Sequence, residues 1–357
     1  MKNLRKVNLK GKKVLVRCDF NVPLSERGDI LDDFKIKKTL PTIQYLMKAG
    51  AKVILMSHLG RPDGRVVKKF RLIPIQKKLA EYLGIPIVKT AECVGSKVES
   101  EIAKMQPGQV VLLENVQFHP GEKQNSQGFA KSLAGLADIF VMDAFGQAHR
   151  NYASITGITK YLPSFPGFLL EKEIRVLRAI MKNPEKPLTA IVGGVKVETK
   201  AALINKVSEK ADYVLVGGLI SKEIRKKDIY INYPRKIIGP VDETGGGKDI
   251  GPKTIKLFKQ KILLAKTIFF NGVLGQIEDK RYSKGTEEIL KAIVESKAFS
   301  VIGGGDTVEF VNLLGLGPKF NHISTGGGAM ISFLAGEKLP GIEALNNSAT
   351  SFKSTGR

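Results

Sequence analysis

Two hydrophobic patterns alternate along the chain: short continuous runs, and longer segments with apolar residues at helical spacing. The continuous runs are typical of strands that are covered on both faces of a parallel sheet. They predict nine strands, at 13–20, 52–58, 109–116, 138–144, 187–192, 213–216, 267–270, 299–302 and 322–324. The helical segments between them include 36–49, 74–83, 129–136, 169–181, 200–210, 252–264, 286–295 and 307–314. This alternation predicts an α/β fold whose strands divide into two mostly parallel sheets.

The middle of the chain predicts a helix that connects two domains. The stretch PGFLLEKEIRVLRAIMKNPEKP, at 166–187, has helical spacing and ends among prolines. At 357 residues, the chain is long enough for two domains with separate cores. We predict an N-terminal domain at 1–165 and a C-terminal domain at 166–345, which begins with a connecting helix at 166–186. The remaining residues, 346–357, are polar and are expected to form a disordered tail.

Residues that suit ligand binding lie where the predicted strands end. In open parallel sheets, ligands bind beyond the carboxyl ends of the strands. In the first half these ends read CDFNVP, SHLGRP, LENVQFH and DAFGQAHR, whose side chains suit a small polar acid or a phosphate. In the second half they read GGVKVETK, GGLIS, NGVLG, GGGDT and STGGGAM, whose glycines and lysines suit the phosphates of a nucleotide. The sequence therefore predicts one ligand for each domain.

The stretch SVIGGGDTVEF, at 300–310, shows both the functional and the ordinary explanation of such a strand end. Glycines and an aspartate are common in tight turns from a strand into a helix, where aspartate caps the helix. The same residues also make a phosphate site, because the free N–H groups of a helix start attract anions and glycine admits them to the backbone. In that case Asp306 is available to hold Mg²⁺ with the phosphates.

Composition and charge exclude several other classes of protein. The chain carries 57 basic and 34 acidic residues, a net charge of +23 that attracts polyanions, but no zinc-finger or RNA-binding motif accompanies the lysines. No apolar run is long enough for a membrane span, and the N-terminus lacks a secretory signal. The two cysteines have no metal-site spacing and suit buried thiols, which favours a cytoplasmic protein. Neither the P-loop nor the dinucleotide fingerprint occurs.

Ten motifs together resemble the phosphoglycerate kinase family. They run in the family's order over about residues 5–345: RCDFNVP, SHLGRP, LLEN, DAFGQAHR, VGGVKVETK, DIGPKT, NGVLGQIE, GGGDT, STGGGA and LPGIEAL. The resemblance implies two doubly wound parallel-sheet domains that face each other across a hinged cleft, in a monomeric enzyme of glycolysis. It also implies phosphoryl transfer between 1,3-bisphosphoglycerate and ADP, with 3-phosphoglycerate and ATP as the other pair, and with Mg²⁺ on the nucleotide. Domain closure is expected to exclude water.

Site residues follow from the same resemblance, motif by motif. It implies acid-substrate contacts from Asp19, Phe20, Asn21, Lys35, His58, Leu59, Gly60, Arg61, Gln117 and Arg150. It implies nucleotide contacts from Gly193, Gly194, Lys196, Lys200, Gly217, Gly218, Asn271, Glu278, Gly304, Gly305, Asp306 and Thr307. Catalytic roles fall to Lys35, Lys200, Gly305 and Gly328, the last from the second glycine-rich helix start at Gly326–Gly328, and Asp306 would hold the metal. Taken singly, each of these residues can also be a cap, a core residue or a solvated surface charge.

Several positions depart from the family pattern. Lys35 and Gln117 stand where the family has arginines, so one planar fork and one positive charge are lost. Phe270, Val273 and Tyr152 replace a usual Trp, Pro and His. The region after LVGGL is short for the family, and the glycine run at 245–247 is expected to be a flexible loop.

Three hypotheses remain open, in decreasing order of support. The chain is an active phosphoglycerate kinase, slowed by Lys35 and Gln117; or it is a kinase for another acyl phosphate or carboxylate. The third is a non-catalytic binding protein on the same fold, which uses its basic surface on nucleic acid. The intact set of Lys200, Asp306 and Thr307 argues against the third.

Overall fold

The computed structural model describes residues 3–348. Fourteen strands form in this part of the chain. They are β1 (Lys13–Arg17), β2 (Lys52–Met56), β3 (Val88–Lys89), β4 (Val110–Leu112), β5 (Ile139–Met142), β6 (Ser164–Pro166), β7 (Leu188–Val192), β8 (Tyr213–Val216), β9 (Ile237–Ile238), β10 (Glu243–Thr244), β11 (Asp249–Ile250), β12 (Thr267–Asn271), β13 (Phe299–Gly303) and β14 (His322–Ile323). All nine predicted strands are present, and the five additional ones are only two or three residues long.

Twelve α-helices occur in the same described part of the chain. They are α1 (Phe34–Lys48), α2 (Ile73–Leu83), α3 (Ser96–Ala103), α4 (Gln127–Ala134), α5 (Phe168–Lys182), α6 (Val197–Ser208), α7 (Gly218–Lys226), α8 (Pro252–Leu263), α9 (Lys284–Ser296), α10 (Gly305–Leu313), α11 (Gly327–Leu334) and α12 (Pro340–Ser348). None of them is both long and apolar enough to cross a bilayer.

Two six-stranded sheets, each parallel throughout, organise the chain. The first has the strand order β3-β4-β2-β1-β5-β6 and the second has the order β14-β13-β12-β7-β8-β9. Each sheet starts from a central strand and is extended first to one side and then to the other. The order therefore reverses between β1 and β5 in the first sheet and between β7 and β12 in the second. Ligands of doubly wound sheets bind at such switch points.

The chain divides into two compact units, and the division differs from the predicted boundaries. One unit runs to Glu173 and also takes in the residues from Lys338 onward, while the other is Ile174–Glu337. Helix α5 crosses the boundary. The C-terminal helix α12 returns to the first unit, where Gly341 donates its N–H to the carbonyl oxygen of Ala148 at 2.8 Å. A sequence pattern cannot show such a return, because it depends on a contact between distant residues.

Two local expectations need correction. Residues 346–348, placed in the polar tail, form the last turn of α12, and Ser348 is buried because its helix packs on the first unit. The rest of the predicted tail, 349–357, lies outside the described residues. The glycine run at 245–247 is instead the turn of an antiparallel hairpin formed by β10 and β11. All three glycines adopt positive φ there.

The core of the first unit explains why its strands could be predicted from the sequence. Val14 and Val16 of β1, Val53 and Leu55 of β2 and Ile43 of α1 are all fully buried in one cluster. Burial of such a side chain contributes about 1.5–3 kcal/mol. Because helices cover both faces of the sheet, the strands are continuously apolar and polar residues are left to the strand ends.

Candidate active site

The loop after β1 holds an ion pair at the switch point of the first sheet. Lys35, in the first turn of α1, places its Nζ 3.1 Å from Oδ2 of Asp19. Burial favours the neutral form of Asp19, but the charge and hydrogen bond of Lys35 outweigh it and lower the pKa of Asp19 to about 2. The side chain of Asp19 is almost fully buried, whereas that of Lys35 is 29% exposed. Asp19 therefore orients an ammonium group that remains open to an anion.

A buried arginine lies directly behind this pair. Arg17, the last residue of β1, is fully buried, and its Nε donates to Oγ of Ser154 at 2.8 Å. Its Nη2 lies 3.9 Å from Oε1 of Glu122 and 3.4 Å from Nδ1 of His58. Burial is also the main reason that the pKa of His58 falls to about 3. His58 is therefore a neutral imidazole at neutral pH, held from behind by the guanidinium of Arg17.

The loop after β2 is fixed by polar side chains of neighbouring strand ends. Oδ1 of Asn21 accepts from the N–H of Gly60 at 2.8 Å, and Nδ2 of Asn115 donates to the carbonyl of Leu59 at 2.8 Å. The carbonyl of Gln117 accepts from the N–H of Gly64 at 3.1 Å. Asn21, Gly60 and Gln117 thus belong to one connected strand-end region, as their motifs predict.

The remaining acid-side residues differ in exposure. Arg61 and Arg150 are exposed, and the charge of Arg150 is close enough to contribute to the low pKa of His58. Phe20 and Leu59, by contrast, place their side chains in the hydrophobic core. Only the main chain of these two residues is available to a ligand.

In the second unit, a lysine and an asparagine meet at the switch point of the sheet. Nζ of Lys200, from α6 after β7, contacts Oδ1 of Asn271 at the end of β12 and lies 3.4 Å from its carbonyl oxygen. Burial lowers the pKa of Lys200 to about 8, although the charge of Asp306 opposes this shift. Nδ2 of Asn271 is buried and has no hydrogen-bond partner among the described residues. A buried donor without an acceptor costs about 1–3 kcal/mol, so this atom indicates a place for an anionic oxygen.

The start of α10 lies next to Nδ2 of Asn271. Gly304 has φ +102°, and a Cβ added there would lie 3.2 Å from Nδ2 of Asn271. Oγ1 of the buried Thr307 accepts from the N–H of Gly272 at 2.9 Å, which ties α10 to the end of β12. Gly305 and Asp306, in the first turn, are exposed. The free N–H groups of this turn are therefore directed at the same place as Lys200 and Asn271.

A second helix start lies against the first. A Cβ added at Gly327 would be 3.2 Å from Cα of Gly304, so the N-termini of α10 and α11 are in contact. Gly328 is exposed and Gly326 is buried. Two helix N-termini side by side add their favourable potentials for a negative charge.

The other predicted nucleotide residues are of two kinds: exposed side chains, and glycines whose N–H groups are already hydrogen-bonded within the protein. Lys196 and Glu278 are exposed, and Lys196 is the residue just before α6. The N–H groups of Gly193, Gly194 and Gly217 donate to the carbonyl oxygens of Asn271, Val273 and Val192, at 2.8–2.9 Å. These three glycines therefore cannot offer their amides to phosphate, and their contribution is close backbone packing.

The residues fit a magnesium ion that arrives with its nucleotide better than a resident metal. No group of three or more His, Cys, Asp or Glu side chains converges as a metal site between residues 3 and 348. Mg²⁺ is commonly bound by one or two carboxylates together with phosphate oxygens and water. The exposed carboxylate of Asp306, beside two helix N-termini, suits that arrangement.

Two buried charged residues of the first unit were not predicted. Arg17 could have been suspected, since it is a charged residue in the otherwise apolar strand KVLVR. Asp143, after β5, is fully buried, and its Oδ1 accepts from the N–H groups of Leu169 and Leu170 at the start of α5. Burial raises the pKa of Asp143 to about 7. Both cysteines are buried free thiols, as expected.

Comparisons with known proteins agree with this geometry. The family model described as phosphoglycerate kinase matches residues 4–229 and 222–337. The phosphoglycerate kinase of Pelotomaculum thermopropionicum is 42% identical over 388 residues, which cover 96% of this chain and 98% of the relative. That of Dictyoglomus turgidum is 43% identical over 391 residues, which cover 97% and 98%. These alignments are longer than the chain, so the chain lacks segments that the relatives have.

Solved structures show the same fold. The chain is similar to phosphoglycerate kinase from Pyrococcus horikoshii, with TM-score 0.87, 31% identity and coverage of 99% of this chain and 100% of that one. It is also similar to the structure from Coxiella burnetii, with TM-score 0.82, 34% identity and coverage of 97% and 99%. On the evidence of the family model, the relatives and the two doubly wound parallel sheets, the chain belongs to the phosphoglycerate kinase family.

Proposed function

We propose that the chain catalyses reversible phosphoryl transfer between 1,3-bisphosphoglycerate and Mg-ADP, which gives 3-phosphoglycerate and Mg-ATP, the glycolytic reaction. The observation that carries the proposal is the convergence of Lys200, Asn271 and the starts of α10 and α11 at one switch point. Such a cluster supplies positive potential and N–H donors but no general base. That composition suits phosphoryl transfer, which depends on positioning and charge stabilisation.

In the second unit, the chain's own residues hold and neutralise the phosphates. Lys200 supplies a charge at the transferring group, and the first-turn amides of Gly305 and Gly328 supply donors that need no rearrangement. Nδ2 of Asn271 gains the acceptor that it lacks in the protein alone. Mg²⁺, held by Asp306 and the phosphates, supplies further charge neutralisation when the nucleotide is bound. Lys196 and Glu278 complete the nucleotide contacts from the rim.

In the first unit, the residues bind the acid substrate. Arg61 and Arg150 offer exposed guanidinium groups for its phosphate, and Asn21 and the neutral His58 offer hydrogen bonds to its oxygens. Lys35, oriented by Asp19, is the cation for the carboxyl end, where phosphate is transferred. Gln117 contributes an amide without charge at its position.

The proposal extends to the state and location of the protein. We propose a monomer in the cytoplasm, where the buried thiols of Cys18 and Cys93 stay reduced. Membership of the family does not favour an altered acid substrate or a non-catalytic role.

The experiment is a coupled assay of 3-phosphoglycerate phosphorylation by Mg-ATP, with the natural chain and the Lys35→Arg, Gln117→Arg double variant. The natural chain should turn over slowly, with a high KM for 3-phosphoglycerate. Loss of one charged stabiliser of a transition state costs about 3 kcal/mol, and Arg-to-Lys replacement costs less because the charge remains. The double variant should therefore gain at least about tenfold in kcat/KM, since 1.4 kcal/mol corresponds to a factor of ten.

The Lys48→Arg, Gln44→Arg variant is a matched control, because it makes the same two replacements at exposed positions toward the other end of α1 from Lys35. Equal kcat/KM in the natural chain and the double variant would show that positions 35 and 117 do not limit catalysis. Absence of turnover in both would contradict the proposed reaction.

A further inference from the structure

A row of glycines crosses the carboxyl edge of the second sheet. Measured from the position of an added Cβ, Gly327 lies 3.2 Å from Gly304, Gly304 lies 3.4 Å from the nitrogen of Gly272, and Gly272 lies 2.2 Å from the carbonyl oxygen of Gly193. Gly217 in turn lies 3.3 Å from Cα of Gly193. No side chain could be added at Gly193 or Gly272 without displacing backbone, and the other three positions are tightly packed, so the row forms a continuous floor without side chains of its own.

The strand order shows which strands the row of glycines passes. The phosphate cluster lies at the ends of β13 and β12, and the row continues past β7 to β8. Three strand spacings separate β13 from β8, about 14 Å at about 4.8 Å each. A nucleotide whose phosphates lie at α10 and whose ribose and base follow the bare floor therefore places its base beside the end of β8.

A carboxylate stands at that end of the row. Oε1 of Glu243, at the start of β10, lies 2.4 Å from the position of a Cβ added to Gly218. Oε2 of the same residue forms an ion pair with Nζ of Lys222 at 2.5 Å, and the side chain of Glu243 is 24% exposed. The described residues place no hydrogen-bond donor on Oε1. The floor thus ends at one free carboxylate oxygen with an ammonium group beside it.

The chain is shorter than its relatives in the same region. The two stretches matched by the family model meet at 222–229, within and just after α7, and the alignments with relatives are longer than this chain. Helix α7 is only nine residues long, and only a 3-10 turn and strand β9 lie between it and the hairpin of β10 and β11. The hairpin carries Glu243 to the space over Gly218, so this surface of the base site belongs to the shortened region.

We propose that Glu243 determines nucleoside specificity and that the chain binds guanosine phosphates at least as tightly as adenosine phosphates. The inference rests on the proposed function, because it concerns the same nucleotide site. A carboxylate is an acceptor only, and the N1–H and N2 amino groups of guanine are adjacent donors on one edge. Lysine is a common donor to O6 of guanine, and Lys222 is adjacent to the carboxylate. Adenine offers the same carboxylate one donor, its N6 amino group, and therefore makes one hydrogen bond fewer there than guanine.

Equilibrium binding tests the inference without any acid substrate. Mg-GDP and Mg-ADP are titrated by calorimetry into the full chain and into Glu243→Gln, which keeps the shape of the side chain and removes its charge. The natural chain should bind Mg-GDP at least as tightly as Mg-ADP. Glu243→Gln should weaken Mg-GDP about tenfold, the size of one good base contact, and should leave Mg-ADP unchanged or tighter.

Glu288→Gln is the matched control. Glu288 also accepts from a lysine at 2.5 Å, in the same unit, with its side chain 28% exposed, but away from the glycine row. Its two affinities should equal those of the natural chain. The inference would be overturned if the natural chain bound Mg-ADP tenfold more tightly than Mg-GDP, or if Glu243→Gln left the ratio of the two affinities unchanged. Either result would leave the proposed function standing. Binding of neither nucleotide would overturn both.

Discussion

The low pKa of Lys200 predicts that nucleotide binding depends on pH well above neutrality. Burial lowers this pKa from 10.5 to about 8, so a charged Lys200 is disfavoured by about 3 kcal/mol in the protein alone. Phosphate oxygens remove that penalty when they arrive, because they provide the missing counter-charge. In the free protein the ammonium is present below pH 8 and is lost as the pH rises through 8, whereas in the complex it persists.

The expected magnitude follows from this difference. Each pH unit above the pKa of the free protein reduces its binding-competent, protonated fraction tenfold. The Kd for Mg-ADP should therefore rise about tenfold between pH 7 and pH 9, and binding at pH 9 should take up about 0.9 proton. Calorimetry in buffers with different ionisation enthalpies measures both quantities.

Two variants separate Lys200 from other causes. Lys200→Arg remains charged throughout this range, so its affinity should not change between pH 7 and pH 9 and it should take up no proton. Lys196→Met removes an exposed lysine four residues earlier and should keep the pH dependence of the natural chain. A natural chain whose Kd is the same at both pH values, or an arginine variant with the same profile as lysine, would refute the reasoning.

Three further predictions concern stability, measured by urea unfolding and circular dichroism. Arg17→Met should cost about 3–5 kcal/mol because it leaves buried Glu122 without a counter-charge, and adding Glu122→Gln should recover part of that loss; equal losses would contradict the pairing. The natural chain should lose stability, up to about 4 kcal/mol, as the pH rises from 4 through 7, and Asp143→Asn should abolish this loss; a natural chain without that trend would contradict the raised pKa of Asp143. Gly272→Ala should be far more destabilising than Gly315→Ala, because only at Gly272 would the new Cβ meet backbone, 2.2 Å from a carbonyl oxygen; similar costs would show that positive φ alone decides.

Much of the fold was predictable because both sheets are buried on both faces. Strands such as KVLVR and LTAIV are continuous enough to recognise without further information. The edge strands β3 and β9 have only two residues each, and too few positions repeat to form a pattern. Helix α3, SKVESEIA, was missed because only Val98 and Ile102 of its residues are buried.

The site was predictable in its residue types and less so in their use. The glycine clusters indicated a phosphate site, but sequence could not show that Gly193 and Gly194 donate their amides to neighbouring backbone. Nor could it show that Arg17 lies behind His58, or that Glu243 meets Gly218, since both contacts join residues distant in the chain. Spacing identifies chemical groups, whereas their hydrogen-bond partners depend on packing.

The most direct test of the account is phosphorus NMR of Mg-ATP incubated with 3-phosphoglycerate, hydroxylamine and the natural chain. Hydroxylamine is needed because the acyl phosphate is a stronger phosphoryl donor than ATP and does not accumulate; hydroxylamine converts it into a hydroxamate and releases inorganic phosphate. An inorganic phosphate resonance should grow as the γ-phosphate signal of ATP falls, and only when 3-phosphoglycerate is present. Neither change should occur with Lys200→Met, which removes the charge beside Asn271. Transfer that survives unchanged in Lys200→Met, or no 3-phosphoglycerate-dependent release of phosphate when Mg-ATP is bound, would contradict the assignment of the phosphoryl site to Lys200, Asn271 and the two helix starts.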